Sequence, residues 1–272
     1  MTIPAEPALI DTERLVARLG PLAAHLSLSA LPICDSSNAI LLASAAKGAA
    51  SGSVVVCDRQ TSGRGRRGRS WMASPQSSLT FSLLWRFPQS ARLSGLSLAI
   101  GVAITRALAT CGVPQARLKW PNDILLPVDG GWGKVGGVLI ELSGGAAGVA
   151  AVIGVGLNLE VPDGLEGLDF PAAGLADIAL PPERHQLLAA LLREMVAVLD
   201  RFAEAGFPVY AEAWSAQNAF ADQLVQLRQD DGTKRDGICR GVDGEGALWL
   251  ETAVGRERVL AGDVSLRPKA PR

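Results

Sequence analysis

Two histidines, His25 and His185, are all the chain contains, which excludes a multi-histidine metal centre. Its four cysteines, Cys34, Cys57, Cys111 and Cys239, lack the short spacing of a zinc knuckle or a redox pair. They read as reduced thiols serving as small hydrophobes, which fits a reducing compartment. An excess of one charge is missing too. The 26 Lys and Arg against 27 Asp and Glu argue against a protein whose main work is gripping a nucleic-acid backbone. No apolar run suits a bilayer: the best helical stretch, residues 96–110, is interrupted by Arg106 and falls short of the roughly 20 residues needed. Residues 1–20 carry acids and no long apolar core, so they do not read as a signal peptide. These absences predict a cytoplasmic protein with no membrane partner. No GxxxxGK[ST] phosphate loop is present; residues 63–68 have the GxGxxG spacing, but no acidic residue follows about 20 positions on, as a dinucleotide-binding turn requires, and no internal repeat is found.

What is there is a core. Hydrophobic residues make up 48% of 272, enough for one large domain or one large plus one small. Residues 12–26 predict a short helix, with Thr12 as cap and Leu15, Leu19, Leu22 and Leu26 at helical spacing. Residues 52–57 (GSVVVC) and 79–87 (LTFSLLWRF) read as strands, and residues 93–110 as a buried helix. Residues 135–142 and 149–159 form an expected strand pair, turned by Ser143, Gly144 and Gly145. Residues 182–205 form an amphipathic helix striped by Leu187, Leu188, Leu191, Leu192, Met195, Leu199 and Phe202. Beyond Asn218, short alternating strands broken by Gly and Asp predict a small all-β barrel. The fold class is α+β: a mixed sheet with helices packed on it, then the small barrel. The divisions fall at 1–33, 34–218 and 219–272.

Five polar segments interrupt the apolar pattern. Residues 63–69, GRGRRGR, put four arginines and three glycines in seven positions. Glycine lets backbone approach an anion closely, and arginine supplies planar, multidentate donors. The composition predicts a mobile loop that orders around a phosphate or carboxylate, though a solvated basic turn or an RGG-type nucleic-acid contact shares it. In LKWPNDI, residues 118–124, Lys119, Asn122 and Asp123 crowd around Trp120 and Pro121. A cation beside a carboxylate and an amide suits a phosphate with its magnesium, and an ordinary turn is the plainer alternative. In GKVGGVLIE, residues 133–141, Lys134 opens a glycine-rich strand as an anion ligand or a surface lysine. In GVGLN, residues 154–158, Asn158 interrupts an apolar strand and needs a partner. Asp35, Ser36, Ser37 and Asn38 precede a helical run, as a cap or as a holder of a small polar head group.

Taken in order, DSSN, QTSGRGRRGRSW, KWPNDI, GKVGGVLIE, GVGLN and a terminal GDVSLR resemble the biotin protein ligases over about residues 30–268. The arginine–glycine loop together with KWPND is the specific pair. The resemblance implies a class II synthetase-like catalytic domain and two half-reactions. Biotin carboxylate attacks the α-phosphate of ATP, with magnesium, to give biotinyl-5′-AMP and pyrophosphate. A lysine of the biotin carboxyl carrier protein of acetyl-CoA carboxylase then displaces AMP.

It also implies roles. Ser36, Ser37 and Asn38 match the family's Ser-Thr-Asn at the ureido end of biotin, with Ser37 replacing the usual threonine. Gln60 matches a glutamine over the biotin site, and Gly63, Arg64, Gly65 and Arg66 the loop segment that binds biotin and its adenylate. Arg67 and Arg69 tune closure, Arg69 within reach of phosphate, and Trp71 packs under the closed loop beside the nucleotide. Lys134 and Gly137 flank the biotin carboxylate and phosphate, Lys119 the α-phosphate, and Asn158 the nucleotide. Asn122 and Asp123 are implied as helpers for magnesium or for the attacking amine, with Asp123 as candidate general base. Lys134, Arg66, Lys119 and Asp123 form the expected catalytic group. Residues 170–177 show no clear aromatic platform for adenine. Residues 1–33 are too few for a winged helix, so no specific DNA binding is expected, while the family's habit of pairing edge strands allows a homodimer. Lipoate–protein ligases share the fold and the adenylating chemistry, but their RRxxGG-like signature is missing.

Overall fold

Helices lie on both faces of a seven-stranded mixed sheet, and a five-stranded antiparallel sheet follows at the carboxyl end. The computed structural model describes residues 8–145, 148–161, 170–229, 232–260 and 264–268. The first sheet is built from β1 (Ser27–Cys34), β2 (Ser53–Gln60), β3 (Ser78–Phe87), β4 (Arg117–Lys119), β5 (Asp123–Val128), β6 (Gly131–Gly145) and β7 (Gly148–Asn158). Its order is β1-β2-β3-β7-β6-β5-β4, antiparallel throughout except for the β1–β2 pair. The helices are α1 (Thr12–Leu19), α2 (Ser37–Ala46), α3 (Leu96–Thr110), α4 (Arg184–Ala205) and α5 (Ala211–Ala216).

Composition explains the layering. Helix α3 is apolar on nearly every side and is buried between the sheet and α4, whose expected leucine stripe is buried in full. Strand β7 is buried on both faces and accordingly reads as a continuous apolar run. On the other face, α2 covers Val55, Leu84 and Val152 with Leu41 and Ala45.

Three local expectations change. Helix α1 stops at Leu19, where a 3-10 turn through His25 takes over, and Asp11 rather than Thr12 caps it by accepting from the Glu13 and Arg14 amides. Strand β1 was not expected. It is a half-exposed edge strand holding Pro32, so it shows neither clean alternation nor an apolar run. Ser143, Gly144 and Gly145 extend β6, paired with Ala150, Val149 and Gly148. The reversal therefore falls at residues 146–147, outside the described residues.

The second sheet comprises β8 (Leu224–Gln229), β9 (Lys234–Val242), β10 (Leu248–Thr252), β11 (Gly255–Val259) and β12 (Val264–Pro268), in the order β11-β10-β9-β8-β12. The expected barrel is not closed among the described residues, since β11 and β12 lie at opposite edges. Residues 261–263, between those two strands, lie outside the described set, including Gly262 and Asp263 of the GDVSLR segment. The sheet docks on the first unit through the turn before β10. The Trp120 indole donates to the Gly246 carbonyl at 3.1 Å, and any side chain at Gly246 would strike the Gly95 backbone.

All four cysteines are unpaired, and burial pushes each thiol above its ordinary value. That agrees with their reading as packing residues. No helix among the described residues is long and apolar enough to cross a membrane.

Candidate active site

The polar segments converge on one cavity of about 400 Å³. Its closed end is the start of α2. Ser36 is extended and its hydroxyl accepts from the Ala39 amide, so the chain turns into helix just there. Ser37, in the first turn, donates its amide to Gln60 Oε1 at 2.8 Å, which aims the end of β2 across the helix N-terminus. Asn38 is buried. Its amide nitrogen donates to Glu141 Oε2 at 2.8 Å and its oxygen accepts from the Ser82 hydroxyl at 2.6 Å. Gly154 and Gly156 of GVGLN are required by what lies on them. A Cβ at Gly154 would stand 2.4 Å from Asn38 Oδ1, and one at Gly156 would stand 2.3 Å from the Trp71 ring.

The arginine–glycine segment leaves β2 and returns on itself as a lobe. The Trp71 amide donates to the Gly63 carbonyl at 2.9 Å and the Gly65 amide to the Arg69 carbonyl at 2.7 Å. Arg67, at the tip, has φ 60° and ψ 35°, a left-handed conformation that costs a non-glycine residue about 1 kcal/mol. The two backbone pairs join the two ends of the lobe at its base. Arg66 donates to Asn122 Oδ1 at 3.2 Å, and Arg64 forms an ion pair with Glu141 at 3.2 Å.

The opposite wall is cationic. Strands β4 and β5 are joined by Trp120, Pro121 and Asn122, with a cis bond before Pro121. Lys119 and Asp123 stand opposite each other in that hairpin and pair directly. Pairing of β5 with β6 slips by one residue between Ile124↔Gly136 and Leu125↔Lys134, leaving Val135 as the extra residue. This bulge turns Lys134 onto the face of Gly137, whose Cβ would lie 3.3 Å from the Lys134 ammonium. Lys134 Nζ reaches Asp123 Oδ1 at 2.6 Å and stands 6.0 Å from the centre of the Trp71 ring. Burial pushes the Asp123 carboxyl up, but the two ammonium groups outweigh it and hold the acid well below the ordinary carboxylate range. Lys119 is only 3% exposed and is drawn down by burial, with Asp123 opposing the shift.

Both oxygens of Asp123 are taken by ammonium groups, an arrangement that makes it a counter-ion to Lys119 and Lys134. A carboxylate held below its ordinary range is a weaker proton acceptor.

Of the residues expected in a site, Ser36, Ser37, Asn38, Gln60, Arg64, Gly65, Arg66, Arg67, Arg69, Trp71, Lys119, Asn122, Asp123, Lys134, Gly137 and Asn158 all line the cavity. Gly63 does not. It is buried at the base of the lobe and lines a groove on the lobe's other side. Asn158 donates to the Ala173 carbonyl at 3.1 Å, tying residues 172–173 to the wall. Several lining residues were missed. Phe170, whose ring centre lies 4.7 Å from the Lys119 ammonium, opens the stretch that showed no clear aromatic platform, and Arg267, brought in by β12, ends the GDVSLR segment but was given no site role. Thr80 Oγ1 and Trp71 Nε1 are buried cavity atoms with no hydrogen-bond partner among the described residues, which suits a polar ligand.

Ser82 was also missed. Fully buried on β3, it lies 2.7 Å from Ser37 Oγ while bonding Asn38. Replacing it with alanine would leave the Asn38 oxygen without that donor. Ser82→Ala should lower the unfolding free energy by about 1–3 kcal/mol in urea titration. An unchanged midpoint would show that the hydroxyl carries no structural weight.

Comparison with known proteins gives two family matches. Residues 32–158 match the biotin/lipoate A/B protein ligase family, and residues 222–267 match the biotin protein ligase C terminal domain. A biotin–[acetyl-CoA-carboxylase] ligase of Mycobacterium tuberculosis is 36% identical over 84% of this chain and 85% of its own length. One of Paracoccus denitrificans is 36% identical over 85% of this chain and 96% of its own. Among solved structures, the biotin protein ligase from Aquifex aeolicus in complex with biotin and ATP superimposes with a TM-score of 0.75. It is 28% identical, covering 89% of this chain and 99% of that one.

Proposed function

The chain belongs to the biotin protein ligases, and from that premise we propose that its cavity joins biotin to AMP and passes the biotinyl group to a lysine of a carboxyl carrier protein. The observation that carries this reading is the convergence in one cavity of Lys119, Lys134 and the arginine lobe opposite the Ser37–Gln60 end. One end offers neutral donors and acceptors suited to a ureido group, and the other offers fixed positive charge suited to phosphate.

In the first half-reaction a carboxylate oxygen of biotin attacks the α-phosphorus of ATP. The bond to the bridging oxygen breaks and pyrophosphate leaves with the electron pair. Two anions must be held together, and negative charge builds at the α-phosphate, so preorganised cations do the main work. Lys134 stands over the carboxylate and α-phosphate, Lys119 behind it, and Arg64, Arg66 and Arg69 approach from the lobe. Asp123 keeps both lysines aimed by neutralising them in part; it is their counter-ion. Asn122 orients Arg66, and Trp71 lies beneath the adenylate. Magnesium accompanies ATP in this reading, and among the described residues no cluster of three or more His, Cys, Asp or Glu stands ready to hold it.

In the second half-reaction the carrier lysine, as free amine, attacks the acyl carbon, the carbon–oxygen bond to AMP breaks, and the amine proton is lost. The mixed anhydride hydrolyses readily, so the lobe must also exclude water. The first unit supplies this chemistry, while residues beyond about 218 close one side through β12. Before α2 the described residues form α1, a 3-10 turn and β1, and no sequence-specific DNA contact is proposed for them. The cytoplasm is the site of action in this proposal.

The reading is tested by ATP-dependent pyrophosphate release with biotin, lipoate or neither. Release with biotin alone is expected; release with lipoate alone would replace it. The lobe's role is tested by Arg66→Gly, which removes the contact to Asn122 and a guanidinium over the adenylate. The adenylate should then escape, and bystander proteins should become biotinylated on lysines. Adenylate retained as in the unaltered enzyme would remove Arg66 from the lid.

A further inference from the structure

Glu141 ends the glycine-rich segment of β6 and takes no part in the steps above. Its surroundings are nonetheless specific. A single carboxylate oxygen accepts from the Asn38 side chain at 2.8 Å and pairs with the Arg64 guanidinium at 3.2 Å. Asn38 belongs to the closed end of the cavity and is locked from its other side by Ser82. Arg64 belongs to the lobe that covers the cavity. One side chain on the sheet thus joins wall and lid. The lobe carries four arginines whose mutual repulsion favours an open arrangement, and a carboxylate at its first arginine opposes that repulsion.

We propose that Glu141 is a positioning residue: it holds Arg64 against Asn38 in the ligand-free enzyme, so that the lobe is half closed before biotin arrives, and it thereby sets the affinity for biotin. The proposal rests on the ligase reading for its second half. A merely structural glutamate would act through Asn38, which glutamine can still serve with its amide oxygen. Only the pairing with Arg64 needs the charge. At 25% and 45% side-chain exposure the pair is partly screened, which bounds the effect.

The experiment compares the full-length enzyme with Glu141→Gln, Arg64→Gln and the double variant. The first readout needs no biotin: trypsin cleavage after Arg66, Arg67 and Arg69 in the ligand-free protein, followed by mass spectrometry of the fragments. Glu141→Gln should speed it about two- to fivefold, the range an exposed ion pair can supply. Arg64→Gln should speed it equally, and the double variant no more than either single one. The second readout is biotin-dependent pyrophosphate release. Glu141→Gln should raise the KM for biotin by the same factor with kcat at saturation unchanged, and should leave the Arg64→Gln enzyme unaffected. Unchanged cleavage, effects that multiply in the double variant, or a fall in kcat without a change in KM would each overturn the proposal. Failure of the unaltered enzyme to release pyrophosphate with biotin would instead sink the ligase reading, and with it the claim on affinity. The cleavage arm would still decide whether Glu141 holds the lobe.

Discussion

Lys134→Ala should slow biotin-dependent pyrophosphate release by about 10²–10³-fold, equivalent to roughly 2–4 kcal/mol of lost charge stabilisation. The magnitude follows from position. The ammonium is held at 2.6 Å by Asp123 and is aimed by the bulge at Val135 at the region where carboxylate and α-phosphate must meet. A preformed cation reorganises little when charge appears, so its removal is felt in the transition state more than in binding. The expected pattern is a collapse of kcat for adenylation with a smaller change in the KM for biotin. Transfer from added biotinyl-5′-AMP to the carrier should suffer less, because the phosphorus chemistry is already complete. Pyrophosphate release at a near-normal rate would remove Lys134 from the reaction and leave it as a cavity-lining charge.

Asp123→Asn should produce the largest loss of stability, about 3–5 kcal/mol at neutral pH. The substitution keeps the shape and removes the one carboxylate placed between Lys119, which is almost fully buried, and Lys134. What remains is a buried ammonium without its counter-ion. The pH dependence has a definite sign. The folded enzyme holds the Asp123 carboxyl well below the unfolded value of about 3.8, so its stabilisation is fully present above that value and is lost as pH falls through and below it. Urea midpoints of the two proteins should therefore differ most at neutral pH and converge in acid below about pH 4. At high pH the difference should also shrink, because burial allows Lys119 to lose its proton early. A gap that stays constant from neutral to acid would mean that the carboxylate is not ionised in the fold, and the counter-ion role assigned to it would fall.

Much of the site was legible because its residues break strong local patterns. Four arginines among glycines cannot pack, a lysine at the head of an apolar strand is conspicuous, and Ser-Ser-Asn before a helical run marks a helix start. Other parts were not, for reasons of geometry. Ser82 and Glu141 sit on strands as ordinary alternating polar positions. Only the neighbouring strands and α2, distant in sequence, reveal that both meet at Asn38. Arg267 reaches the cavity because β12, paired with β8 at the edge of the second sheet, borders it. The glycines of GVGLN are needed because Asn38 and Trp71 lie against them, which composition alone cannot state. The edge strand β1 escaped for the opposite reason: half-exposed and proline-bearing, it carries almost no periodic signal.

The Trp120–Gly246 contact has a consequence for how this protein can be dissected or recombined. The indole belongs to the hairpin that carries Lys119 and Asp123, and its only named donor is satisfied by a turn of the second sheet. Cutting the chain near residue 218 would strip that tryptophan of its acceptor and expose a large aromatic surface behind the lysines. The two halves are thus not interchangeable cassettes. A chimera with the carboxyl-terminal sheet of a relative should adenylate only if it restores a carbonyl at that spot and a glycine small enough to let Gly95 pass.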